Sequence, residues 1–257
     1  MRKANLRNLG MLVLAGLMLI LIPTSAKADF LDFTVDEGTV PGANAGTFVA
    51  DKLNGGYAEV ITFINGTFVT NAYAQFGQYF ANEGSDFVTS QLGGVDANGY
   101  GLYALFSSDG AVVGNSFYGQ NSQFVLYIDP ENDTTFALGA TGADPVVVGN
   151  DGDDYMIMEA YSLSSGFGIL VPGIGGFFDL WFNDPTLTAD GQEYYPDMPQ
   201  LFLVANVDGD FDTFTISGTQ TLTGDVSAVF QVVPEPGTLA LFGIGLVGTA
   251  IAIRRRR

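Results

Sequence analysis

Three groups of carboxylates have the residue types and spacing to do chemistry in this chain. Asp151, Asp153 and Asp154 flank Gly152 just after Asn150. Asp208, Asp210 and Asp212 alternate with Gly209 and Phe211, a little after Asn206. Asp129, Glu131 and Asp133 take every second position of a turn-like stretch that also holds Pro130 and Asn132. Alternating oxygen side chains beside a flexible Gly suit Ca2+, which takes about six to eight oxygen ligands at about 2.3–2.6 Å. None of the three is an EF-hand. Counted from Asp208, the twelfth position is Thr219 and the Gly falls at the second. The competing explanation is that Asp, Asn and Gly serve here only as turn formers. Ca2+ is the one cofactor these residues suggest, with Asp151, Asp153, Asp154, Asp208, Asp210 and Asp212 as its expected ligands.

Carboxylate pairs also hydrolyse glycosidic bonds when they stand roughly 5–10 Å apart in a cleft and one has a raised pKa. With so many carboxylates, pairs arise by chance, and Trp181 is the only tryptophan available to a sugar-processing cleft. The chain has no Cys and no His. That removes Ser-His-Asp and Cys-His catalysis, disulfides and the usual zinc ligands. No catalytic residue is assigned, and the chain is read as a non-enzyme.

The ends frame these residues. Arg2, Lys3 and Arg7 precede the uncharged run Leu9–Ile22, and Ala26-Lys27-Ala28 forms an A-x-A cleavage site. This is the layout of a secretory signal peptide over 1–28, handled by the Sec machinery and signal peptidase, with Asp29 as the mature N-terminus. At the other end stand Pro234-Glu235-Pro236, the apolar run Thr238–Ile253, and Arg254, Arg255, Arg256 and Arg257. As a helix the apolar run would span about 24 Å, near the thickness of a bilayer core once arginine stems snorkel. The arginines would hold the C-terminus in the cytoplasm and leave the body outside the inner membrane.

Between the ends lie 27 of the 28 carboxylates, against Lys52 as the only basic residue, a net charge of about −26. Nucleic acid is excluded as a partner, because phosphate contacts need Lys and Arg. Cations and neutral polymers remain, and self-repulsion alone would keep such a body soluble.

The tail resembles the PEP-CTERM sorting tail of Gram-negative bacteria in three features: Pro234-Glu235-Pro236, the Gly-containing apolar segment Leu239–Ile253, and the terminal arginines. The resemblance implies an exosortase as partner, processing near Pro-Glu-Pro, and a place in exopolysaccharide or biofilm systems. A plain membrane anchor is the simpler alternative, but it has no need of Pro-Glu-Pro. A second likeness lies in the body. Phe48-Val49-Ala50-Asp51-Lys52-Leu53-Asn54-Gly55-Gly56-Tyr57-Ala58-Glu59, continued by Phe76-Gly77-Gln78-Tyr79-Phe80, is similar to flocculation-associated PEP-CTERM proteins. That likeness implies a protein without known catalysis that helps cells aggregate within extracellular polysaccharide.

The elements that must position these residues read as strands. Tyr57–Ile64 and Thr67–Tyr73 flank Asn65-Gly66, the strongest short hairpin signal. A second hairpin is expected at Ser108-Asp109-Gly110, between Gly101–Phe106 and Ala111–Phe117. Further strands are expected at Gln123–Ile128, Thr134–Leu138, Pro145–Val148, Tyr155–Leu163, Gly176–Phe182, Gln200–Val207, Phe211–Ser217 and Val226–Val232. Thr70–Asn82 is open to a short helix instead. Many short strands without a sustained helical period suggest an all-β body over 29–232, a β-sandwich or jelly roll, followed by a transmembrane sorting helix in 233–257. The string Gly243-Ile244-Gly245-Leu246-Val247-Gly248 matches a dinucleotide fingerprint but lies inside the apolar tail, where no βαβ unit surrounds it.

The expected protein is thus an exported matrix or surface protein that promotes aggregation through extracellular polysaccharide. A Ca2+-dependent carbohydrate-binding module is the alternative, and a polysaccharide-active enzyme stands third.

Overall fold

A computed structural model describes residues 30–94, 98–199 and 203–232. Its strands are β1 (Phe33–Asp36), β2 (Thr47–Ala50), β3 (Lys52–Ile64), β4 (Thr67–Ala81), β5 (Asp86–Val88), β6 (Gly101–Val113), β7 (Ser116–Asp129), β8 (Thr135–Ala137), β9 (Val147–Gly149), β10 (Tyr155–Ala160), β11 (Ser162–Val171), β12 (Gly175–Asn183), β13 (Thr186–Leu187), β14 (Leu203–Phe211) and β15 (Gly218–Val232). One short helix, α1 (Ala189–Tyr194), precedes β14 and is capped by Thr188, whose hydroxyl accepts the Gly191 N–H at 3.0 Å.

Eight strands close a barrel. In ring order they are β3, β4, β6, β7, β11, β12, β14 and β15, each antiparallel to the next. Four hairpins, β3–β4, β6–β7, β11–β12 and β14–β15, follow one another around the ring, so this is an up-and-down barrel. β1 and β2 precede the first hairpin, and the remaining strands and α1 are excursions between hairpins. β15 closes on β3 from Gly218↔Phe63 to Val229↔Lys52. The other seam is forked: β7 pairs with β11 through Ser116, Phe117 and Tyr118, and with β10 through Phe124–Ile128.

The alternation of β15 explains the layering. Leu222 and Val226 are buried, while Thr219, Thr221, Thr223 and Asp225 are exposed. Two apolar clusters fill the interior. One holds Tyr57, Phe76, Ala104, Phe124 and Val207; the other holds Ile61, Phe68, Phe117, Phe211 and Leu222. Each large side chain so buried contributes about 1.5–3 kcal/mol. Apolar inside and polar outside is the reverse of what hydrocarbon demands of a membrane barrel. One end is sealed by β1, β2 and α1. There Tyr79 and Tyr194 share a hydroxyl hydrogen bond at 2.8 Å, Tyr100 and Tyr194 share one at 2.6 Å, and Tyr100 donates to Glu37 at 3.2 Å.

All-β is as expected, but the sandwich or jelly roll is corrected to a closed barrel. Strands expected to be short run to 13, 14 and 15 residues, because glycines read as punctuation lie within them. Gly110 shows why. It sits at a register shift in the middle of β6, and a Cβ there would lie 2.0 Å from the Tyr118 carbonyl oxygen. The strand bends where its neighbour presses in, and the Ser108-Asp109-Gly110 hairpin does not exist; the chain turns at Gly114-Asn115 instead. Asn65-Gly66 is the expected turn, with both φ positive at 52° and 79°. Thr70–Asn82 belongs to β4 almost throughout and is no helix. Phe211–Ser217 is mostly the β14–β15 connection, where Phe214 stacks on Phe63 at 5.8 Å between ring centres. The signal peptide and the expected C-terminal transmembrane helix lie outside the described residues. Among the described residues no helix is long and apolar enough to cross a membrane, so the expected spanning helix is not shown.

Candidate binding groove and acidic loop cluster

The barrel brings carboxylates together at two places. The first is a groove on its outer face, crossing β14, β15, β3 and β4. Asp208 and Asp210 point to the same side of β14 because strand side chains alternate, and both are exposed. Asp208 accepts the Ser227 hydroxyl at 2.7 Å, and Asp210 accepts the Asp225 backbone N–H at 3.0 Å. Asn54 of β3 and Gln75 and Gln78 of β4 continue the groove, with Lys52 beside them and the half-exposed ring of Phe177 at its margin. Asn54 Oδ1 is buried without a hydrogen-bond partner among the described residues. Asp212 does not join. β14 stops at Phe211, so the alternation that would have carried Asp212 to the same face ends one residue too soon. Asp225 joins instead, and nothing short of the β14–β15 register reveals it.

The second place merges two clusters that are separate in sequence. Asp129 ends β7 and the loop after it carries Glu131 and Asp133, while the loop before β10 carries Asp151, Asp153 and Asp154. Carboxylate oxygens of Asp129, Asp153 and Asp154 lie within 4.8 Å of one another, as do those of Glu131, Asp133 and Asp153. Asp153 belongs to both triads, and Asp151 to neither. Asp153 also accepts the Glu131 backbone N–H at 3.0 Å, which ties the loops together. Buried Asp129 accepts the backbone N–H groups of Asp133 at 3.3 Å and Thr134 at 2.9 Å, so it acts as a turn former too. Asp154 accepts the hydroxyls of Tyr103 at 2.7 Å and Thr134 at 2.9 Å. Burial pushes the Asp154 carboxyl above its usual range; those hydroxyls pull it down, and Asp129 and Asp153 push it up again. With only oxygen donors and no cationic side chain among them, the triads fit a hard divalent cation better than a softer metal.

The body is thus a closed up-and-down barrel with a polar outer groove, a fold that by itself assigns no activity. The particular identity comes from the tail. Residues 232–257 match the PEP-CTERM protein-sorting motif, which indicates a protein exported and sorted by an exosortase toward the cell surface. Pro234, Glu235, Pro236 and Arg254–Arg257 all fall within the matched span; Ala26 and Ala28 lie outside both the match and the described residues. No curated protein matches the chain, and no solved structure does.

Proposed function

We propose that the barrel is a non-enzymatic matrix or surface module that holds extracellular polysaccharide in its outer groove and so promotes cell aggregation. One observation carries this reading. The two stretches similar to flocculation-associated proteins lie side by side on the β3–β4 hairpin and both line that groove: Lys52, Asn54, Gly55 and Gly56 from the first, Gly77 and Gln78 from the second. Sugar recognition suits such a surface. Amide and carboxylate side chains pair with vicinal hydroxyls, Asn54 Oδ1 awaits a donor, and an exposed ring such as Phe177 offers a face for stacking. The body's heavy negative charge disfavours acidic polymer unless a cation bridges the two.

The test uses the full-length chain and polysaccharide from the producing cells in calorimetry. Wild type is expected to bind, and Asp208→Ala/Asp210→Ala or Phe177→Ala to bind at least about tenfold more weakly, the loss of about 1.4 kcal/mol of contact. Unchanged binding in both variants would displace the groove from this role. New reducing ends in the polymer would replace a binding protein with an enzyme. In cells, deletion of the gene is expected to disperse aggregates while polymer is still made.

The second reading, a Ca2+-dependent carbohydrate-binding module, draws support from the convergence of the two acidic loops around Asp153. In that case sugar binding would fall on adding chelator and return with Ca2+.

A further inference from the structure

The barrel interior is not fully packed. A cavity of about 100 Å³ lies inside it, lined from all eight barrel strands by members of both apolar clusters. One carboxyl group lines this space: Glu59 of β3, which shares the inward side with Tyr57 and Ile61. Glu59 is part-buried and lines the cavity. Its Oε1 accepts the Thr70 hydroxyl at 2.5 Å. Oε2 has no hydrogen-bond partner among the described residues, and the body's one lysine, Lys52, is in the outer groove. A buried carboxyl with half its hydrogen-bonding capacity unused costs stability unless something meets it.

We propose that the cavity binds a small, mostly apolar molecule bearing one hydroxyl group, with the hydroxyl on Glu59 Oε2. Size sets the first limit. An engineered apolar cavity of about 150 Å³ takes benzene, so this one takes a single ring or less. Chemistry sets the second. A hydroxyl donates to a carboxylate and accepts from a carboxylic acid, so it serves Glu59 in either state. An ammonium group would need its own desolvation, which costs several kcal/mol per ion. An anion would meet like charge. A plain hydrocarbon would fill the volume and leave Oε2 unmet. Water needs about two to four polar partners, and of the other hydroxyls lining the cavity Ser108 is paired with Ser122 at 2.7 Å and Tyr57 donates to the Asp210 carbonyl at 2.9 Å. This inference is independent of the outer groove.

Phenol, toluene and benzoate are the probes, titrated into the full-length chain and followed by melting temperature and ligand-detected NMR. Phenol is expected to bind roughly tenfold more tightly than toluene, as one hydrogen bond to a charged or buried partner allows, and benzoate not to bind. Glu59→Leu should remove the preference for phenol and keep toluene. Ala72→Leu, which projects into the cavity, should weaken both. The phenol-to-toluene ratio in wild type needs no variant, so a variant that fails to fold leaves the proposal exposed to refutation. Equal binding of phenol and toluene would overturn it. So would binding of neither up to their solubility limits, the outcome expected of a water-filled cavity, or undiminished binding in a folded Ala72→Leu.

Discussion

Glu59 shows how a single residue can make a fold sensitive to pH. Burial pushes its carboxyl up to about 7, against the smaller downward pull of the Thr70 hydroxyl. An ordinary unfolded glutamate titrates near 4.3. The native state therefore holds a proton that the unfolded state has lost across that interval, and stability falls as pH rises from about 4.3 to about 7. Glu59→Gln keeps the shape and removes the titration. The variant should match wild type near pH 4 and exceed it by about 3 kcal/mol at pH 8, by urea unfolding at both values. A constant difference between the two proteins across that range would mean that Glu59 titrates normally. This residue was legible in principle, since Tyr57, Glu59 and Ile61 recur at the period of a strand. Its residue type alone leaves Glu59 among the 27 acids of the body. The convergence around Asp153 was harder to see, because two loops meet there and no spacing records it.

Among the elements, glycine does two different jobs that the sequence writes with one letter. At Gly114 the backbone takes φ +62° and a Cβ would meet nothing within 4 Å. At Gly110 a Cβ would collide with the Tyr118 carbonyl. Gly114→Ala should thus cost about 1 kcal/mol, the cost of the left-handed conformation, whereas Gly110→Ala should cost about 2–3 kcal/mol or more because backbone must move. Equal losses in denaturant unfolding would contradict the bend assigned to β6. Strand identity was readable from aromatic and β-branched content, and the Asn65-Gly66 turn from its chemistry. Strand length and closure were not. Both depend on neighbours: β15 reaching β3, and β7 dividing between β10 and β11. A sandwich and a barrel share the same strand signals and differ in whether the edges meet.

For the whole molecule, charge dominates. A body of about −26 repels itself, and any salt relieves part of that strain. If the loops around Asp153 hold Ca2+, millimolar CaCl2 should raise the melting temperature of the full-length chain beyond NaCl at equal ionic strength. A ligand at about a hundredfold excess over Kd adds about 2.7 kcal/mol. Asp153→Asn should abolish the excess, and Asp212→Asn, which belongs to neither triad, should retain it. Equal shifts in the two salts would leave these carboxylates as turn formers.

The place where the body meets the sorting tail has a mechanical consequence. β15 ends at Val232, where the matched motif begins, and it is hydrogen-bonded on both flanks: to β14 from Leu203↔Val232 to Gly209↔Val226, and to β3 over most of its length. The opposite end of the body docks here too, since the Leu31 N–H donates to the Phe230 carbonyl at 2.8 Å. A pull delivered through residue 232 therefore runs along the axis of β15 and loads two ladders in shear. Their rungs must fail together, unlike those of a hairpin peeled open one rung at a time. A barrel moored by this strand is suited to bearing tension between a surface and whatever its outer groove holds.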